Sequence, residues 1–243
     1  MSMRRTLRIS GTLLLVAGGL MLIWVLVVWR WQDPFTALYT HWKQHQLAHS
    51  YQKRFDAYHP ARTREASVES VMRTVAREGR RYRLESKRGE AIGRIRVPRI
   101  GVNMILVNGT DDASLRRGPG RDLRTYMPGE GQLIYIAGHR TTYLAPFAHI
   151  EKMRVGDTIT LEVPYGSFRY RVFRKRIVPS DELAVLHSHG REVVILQACH
   201  PRFFATHRYL VYGLLTRVEP RGGRSFHAPA ARLTAAPLAS ATG

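Results

Sequence analysis

Apolar and polar positions follow three rhythms along this chain, and each predicts a different kind of element. Between positions 9 and 29 no side chain is charged, and GTLLLVAGGLMLIWVLVVW is almost wholly apolar. About 20 residues at 1.5 Å rise span a bilayer core of ~30 Å. The run is longer than the apolar part of a cleaved leader. It closes on Trp29-Arg30-Trp31, aromatic and basic residues of the kind that anchor a helix at the membrane interface. It predicts an uncleaved membrane helix over 9–31.

Two weaker helical rhythms follow. One covers 35–51. The other covers 67–78, where Val68, Val71, Met72 and Val75 recur at three- and four-residue spacing and Ser67 offers an N-cap. HPARTREAS is a polar break between them, and 73–99 is densely basic. Residues 32–90 therefore read as a helical, basic, solvated stalk.

From Ile92 the rhythm shortens to β-type runs. Strands are expected over 93–97, 102–106, 132–137, 158–163, 168–178, 192–198 and 208–218. Asn108-Gly109, Gly118-Pro119-Gly120, Pro128-Gly129, Gly156-Asp157 and Pro164-Tyr165-Gly166 are among the turns that separate them. Short helices fit 111–116 and 147–153. Closely spaced strands of this number indicate a mainly β barrel or sandwich, not alternating βαβ units. Residues 220–243, rich in Ala, Pro and Gly without periodicity, read as a disordered tail.

Charge adds a partner class. The chain holds 38 Lys+Arg against 18 Asp+Glu, a formal +20. Such a field favours polyanions and anionic surfaces. Arg4, Arg5 and Arg8 precede the apolar helix, which by the positive-inside rule places residues 1–8 in the cytoplasm and the folded body outside. A body outside the membrane points to headgroups or an envelope polymer, not to nucleic acid. Arginine used simply as a solubilising residue explains the charge equally well.

One cysteine, Cys199, occurs in 243 residues, at the end of the apolar run VVILQACHP. It has no internal disulfide partner. It is either a small buried hydrophobe or a nucleophile at the mouth of a site. A thiol nucleophile needs a base or imidazolium nearby and a positive group for the oxyanion. Among eleven histidines, His139 follows a strand-like run, LIYIAG, as Cys199 does. His200 neighbours the thiol, but successive strand residues face opposite ways. Arg208 opens the next strand and stands where a guanidinium could donate to an oxyanion.

These blocks carry a resemblance. AGHRTTYLAPF at 137–147, LQACHP at 196–201 and HRYLVYG at 207–213 resemble the sortases, membrane-anchored cysteine transpeptidases of Gram-positive bacteria. The likeness covers 89–219, including the entry GRIRVPRIGVNMILVNGTD, and is strongest to class E members of actinobacteria. It implies an eight-stranded sortase-type β-barrel, one strand more than the pattern supplies, over 91–219. It implies Cys199 as nucleophile, His139 as general acid and Arg208 as the oxyanion or carbonyl clamp. It implies cleavage of an LPxTG- or LAxTG-like sorting signal of an exported protein between Thr and Gly. Transfer would be to an amine of a peptidoglycan precursor or a pilin, with no metal or organic cofactor. Tyr143 matches a loop tyrosine tied in class E to choosing Ala over Pro. The family's TLxTC reads here as Ile195-Leu196-Gln197-Ala198-Cys199, so Ala198 replaces a threonine that helps line the substrate groove. Two other readings remain. An L,D-transpeptidase-like wall enzyme expects Cys inside a Ser-His-Gly block, which Ser188–Gly190 lacks. A basic envelope-binding module, or a sortase-fold protein that has lost activity, would need no chemistry at all.

Overall fold

Two strands in the middle of the chain set the architecture. β4 (Leu133–Ala137) and β7 (Val193–His200) are parallel, pairing Leu133 with Val193 through Ala137 with Gln197. Every residue of β4 is buried, as is most of β7. Parallel strands covered on both faces read as continuous apolar runs, which is why neither shows alternation in the sequence. The computed structural model describes residues 3–31, 34–61 and 67–228.

The remaining strands are β1 (Ala91–Val97), β2 (Val102–Asn108), β3 (Gly120–Arg121), β5 (Thr158–Val163), β6 (Gly166–Pro179), β8 (His207–Pro220) and β9 (Phe226–His227). They run in the order β6-β5-β1-β2-β3-β4-β7-β8, and a long β6–β8 pairing closes this ring of eight. β9 adds to β8 outside the ring. All seven expected strands are present, and β3 is the eighth of the barrel. It lacks any apolar rhythm and is held by backbone approach and one buried cation. A Cβ on Gly120 would stand 2.0 Å from the Gly109 carbonyl oxygen, so only glycine fits there. Arg121, 1% exposed, donates from Nε and Nη2 to Asn108 Oδ1 at 3.0 and 2.7 Å. Burial pushes its pKa down to about 10.

The barrel interior holds Ile134, Ile136, Val194, Leu196, Ala198 and Val211. A second apolar cluster lies on the outer face of the same wall: Leu133, Tyr135, Ala137, Ile195, Val178 and Leu210, with Val185 and Leu186 of the β6–β7 connection packed against it. Glu192 fixes the start of β7. Its buried carboxylate accepts from the N–H groups of Gly129 and Gly131 and from the Tyr170 hydroxyl. Burial raises its pKa.

Four helices complete the described chain: α1 (Met3–Trp31), α2 (Pro34–Ala57), α3 (Val68–Glu85) and the short α4 (Asp112–Leu115). Within α1, Arg5–Leu26 is long and apolar enough to cross a membrane. Ser67 caps α3 by accepting from the Ser70 N–H.

The expected solvated stalk needs correction. α2 buries Leu47 and Tyr51 against Ala91, Ile105 and Val107 of the barrel. Tyr82 of α3 is fully buried, donates to the Ile92 carbonyl at 3.1 Å, and meets Tyr58 and Tyr165 edge-on at 5.6 and 5.8 Å. The basic side chains masked an aromatic face. They lie over it, with Arg54 above Tyr82 and Arg81 above Tyr58, as long cationic stems do on apolar surface. The tail is likewise ordered beyond Pro220. Phe226 pairs with Val218, and Arg221 Nη1 donates to the Phe55 and Tyr58 carbonyls at 2.6 and 3.0 Å. Residues 229–243 of the expected tail lie outside the described residues.

Truncating Tyr82 therefore tests whether α3 belongs to the core. Tyr82→Ala is expected to cost about 3–4 kcal/mol in denaturant unfolding, as for other large aromatic deletions. A loss within 0.5 kcal/mol, the ordinary surface range, would return α3 to a solvated linker.

Candidate active site

The strand register brings two of the three sequence candidates together. Cys199 on β7 stands directly opposite Arg208 on β8. Directly opposed residues of an antiparallel pair share a face, with Cβ atoms about 4.5–5.5 Å apart. On the other side of β7, Ala137 is level with Gln197, and the Gly138 N–H donates to the Gln197 carbonyl at 3.0 Å. His139 lies two residues beyond Ala137, just past the end of β4. Parity settles the face. Cys199 follows Ile195 and Gln197 on β7, and Arg208 precedes Leu210 on β8. Ile195, Tyr135, Ala137 and Leu210 belong to the outer cluster. The site is thus on the outer wall of the barrel.

Cys199 is partly accessible. The Nε2 of His139 is buried and has no hydrogen-bond partner among the described residues. Burial depresses the His139 pKa, Arg116 depresses it further, and Asp112 opposes both. The ring lies 5.2 Å from that of Tyr143. Tyr143, Leu144 and Ala145 have φ of 52°, 61° and 37°, three successive left-handed residues that turn the chain back over the histidine. Gly138 permits this fold. A Cβ there would stand 2.6 Å from the Phe147 ring. Arg208 Nη1 donates to the carbonyls of Ala205 and His207 at 2.7 and 3.1 Å, which orients the guanidinium at the strand end.

Ala198 lies elsewhere. It is fully buried in the interior cluster, on the face opposite Cys199, so the expected groove contact is not made by this side chain. Strand alternation is the reason. Sequence reasoning also passed over Arg140. Its side chain is 7% exposed and closes the mouth of the barrel from inside. Nη1 donates to the Cys199 carbonyl at 3.1 Å and meets His200 Nδ1 at 3.0 Å, while Nη2 donates to Glu151 at 2.8 Å. The signal was its place one residue after His139, which alternation sends to the interior. An open hollow of about 570 Å³ lined by Phe55, Glu162, Arg217 and Arg221 lies at the far end of the barrel, away from this chemistry.

Residues 95–216 match the family model of the sortase domain, which is half of the chain. The chain belongs to the sortase family. It is 33% identical over 129 residues to Sortase D of Bacillus subtilis (strain 168), covering 51% of this chain and 64% of that protein. It is 29% identical over 109 residues to Sortase SrtE1 of Streptomyces coelicolor, covering 41% of this chain and 31% of that one. The match thus spans less than two thirds of these curated relatives. Among solved structures, the Clostridium perfringens Sortase D5 transpeptidase superposes with a TM-score of 0.57 at 23% identity, over 71% of this chain and 98% of that one, which supports the fold. Class E is therefore one of several similar sortase classes.

The His139 environment makes a sign-defined prediction. A histidine with a depressed folded pKa stays neutral while its unfolded counterpart protonates, so its contribution to stability is lost as pH falls through the ordinary value of about 6.5. NMR titration of His139 should place its midpoint below that value. Arg116→Met should raise the midpoint and Asp112→Asn should lower it. Midpoints that do not move would sever the electrostatic link between α4 and the histidine. Arg140→Met should cost about 2 kcal/mol of stability, the scale of a lost hydrogen bond to a charged group, read as a lowered denaturant midpoint.

Proposed function

We propose that this sortase is a cysteine transpeptidase acting on exported proteins that carry an LAxTG- or LPxTG-like sorting signal. The observation that carries the reading is the register that sets Cys199 opposite Arg208, with His139 two residues past the end of β4, the strand on the other side of β7. The Cys199 thiolate attacks the Thr carbonyl carbon, and Arg208 donates to the oxygen that becomes negative. The Thr–Gly C–N bond then breaks, and His139 gives its proton to the leaving amine. The thioester that remains is opened by an amine of a peptidoglycan precursor or pilin, which takes the acyl group and returns the thiol. The acid role needs the imidazolium, which the burial of His139 disfavours, so the incoming peptide must supply hydrogen-bonding and charge that favour protonation. Tyr143, packed on the His139 ring, would shape the pocket for the Ala or Pro two residues before the scissile Thr. Apolar α1 suits a single-pass plasma-membrane anchor, with the N-terminus in the cytoplasm and the barrel outside.

Intact-mass analysis of the full chain with LAxTG and LPxTG peptides should detect an acyl adduct on Cys199, and Cys199→Ala should abolish it without unfolding the protein. Folded wild type with a free thiol and no adduct from either peptide would set the reading aside. Arg208→Lys should lose about 100-fold in kcat/KM, because an ammonium cannot reproduce the guanidinium fork. Wild-type rates in that variant would move the oxyanion role elsewhere.

A further inference from the structure

The path of the chain out of the apolar helix fixes which end of the barrel lies nearest the membrane. α1 ends at Trp31 and α2 begins at Pro34. Thr36 already touches the active-site loop, its Oγ1 accepting from the Tyr143 N–H at 3.1 Å. Tyr39 meets the Tyr143 ring at 6.4 Å, and Thr40 Oγ1 donates to the Arg116 carbonyl at 3.0 Å. Thr36 is five residue steps beyond Trp31, and a fully extended chain covers at most about 17 Å over that length. α2 then runs down the wall. Tyr51 donates to the Glu162 carbonyl, and Phe55 accepts from Arg221 at the end of β8 opposite Arg208. A helix of 24 residues is about 36 Å long. The catalytic rim is thus tethered next to the bilayer, and the far end of the barrel stands roughly one helix length further out.

The surface at that rim has the chemistry of an interface. The loop joining β7 to β8 exposes two adjacent phenylalanines, Phe203 at 66% and Phe204 at 78%. Phe203 and Ala205 are held at φ of 72° and 55°, left-handed values that a non-glycine residue rarely adopts. Arg202 pins the loop by donating to the Ala148 carbonyl. On α2, Leu38 and Trp42 are exposed at positions four apart, hence on one helix face, and Lys43 lies 4.3 Å over the Trp42 ring. β6 reaches the same rim at Pro179, which pairs with His207. It carries exposed Arg174 and Arg176 a few residues back, and no acid occurs anywhere in the strand. Aromatic side chains beside exposed cations suit the headgroup layer of an anionic membrane.

We propose that the catalytic rim rests on the anionic surface of the membrane that holds α1, with Phe203 and Phe204 seated among the headgroups. The inference depends on α1 spanning the bilayer, and it is independent of the assigned chemistry.

The test uses the full chain in nanodiscs of equal parts phosphatidylglycerol and phosphatidylcholine, in a Cys199→Ser background. A fluorophore is placed through Thr206→Cys near the rim, or through Ser225→Cys at the far end. Nitroxide on the lipid headgroup should quench the rim probe several-fold more than the far probe. Phe203→Ser with Phe204→Ser should at least halve the quenching of the rim probe. Equal quenching at both positions, stronger quenching at Ser225→Cys, or indifference to the Phe substitutions would overturn the proposal. Failure of the chain to enter nanodiscs would overturn it at α1. Quenching replaced by capture of a protein partner at Phe203 and Phe204 would assign the patch to that partner instead.

Discussion

The parallel pairing of β4 with β7 is the constraint on which core and site both depend. Its register sets Ala137 against Gln197, and the antiparallel pairing of β7 with β8 sets Cys199 against Arg208. Strand side chains alternate, so one register distributes two sets of residues at once. Val194, Leu196 and Ala198 fill the barrel, while Ile195 packs in the outer cluster with Tyr135, and alternation puts Cys199 on the same face as Ile195. A slip of one residue would send the thiol into the core and Ala198 to the rim. The apolar contacts that hold the barrel closed are therefore the same ones that set Cys199 opposite Arg208.

Buried polar groups tighten this arrangement where apolar packing stops. Arg140 caps the barrel mouth and ties the Cys199 carbonyl to Glu151 of the segment that follows the histidine loop. Glu192 holds the opposite end of β7. Between them the strand has little freedom to slide. His139 Nε2, like Arg140 Nε, is buried without a hydrogen-bond partner among the described residues. An unpaired buried polar group is costly, and a ligand that offers a partner recovers that cost. The strain in 143–145 and at Phe203 lies at the same rim, in the two loops that frame the thiol.

Legibility in the sequence followed how local each signal was. Long apolar or alternating runs announced seven strands, because burial of one or two faces leaves a rhythm within a few residues. β3 left none. Two residues, Gly120 and Arg121, are a strand only because Gly109 and Asn108 approach them from elsewhere in the chain. The helices before the barrel were visible as helices but were mistaken for solvated ones. Their arginines dominate the composition, while Tyr51, Tyr58 and Tyr82, the residues that dock them, are too few and too widely spaced to make a stripe. The class E likeness was one among several, since the chain is similar to a Sortase D and a Sortase A as well as to Sortase SrtE1.

What the sequence determined alone was the inventory: an apolar helix, a β-rich body, one thiol, and a histidine and an arginine at strand ends. These follow from periodicity and from the chemistry of single side chains, which need no partner to be read. The tertiary structure decided the pairing. It joined β4 to β7 across some 60 positions, turned Ala198 inward and Arg140 toward the thiol's backbone, and laid α2 along the wall with its first turn on the histidine loop. Those outcomes depend on contacts between segments far apart in the chain. No local rhythm encodes them, because the energy that selects them exists only once the barrel has closed.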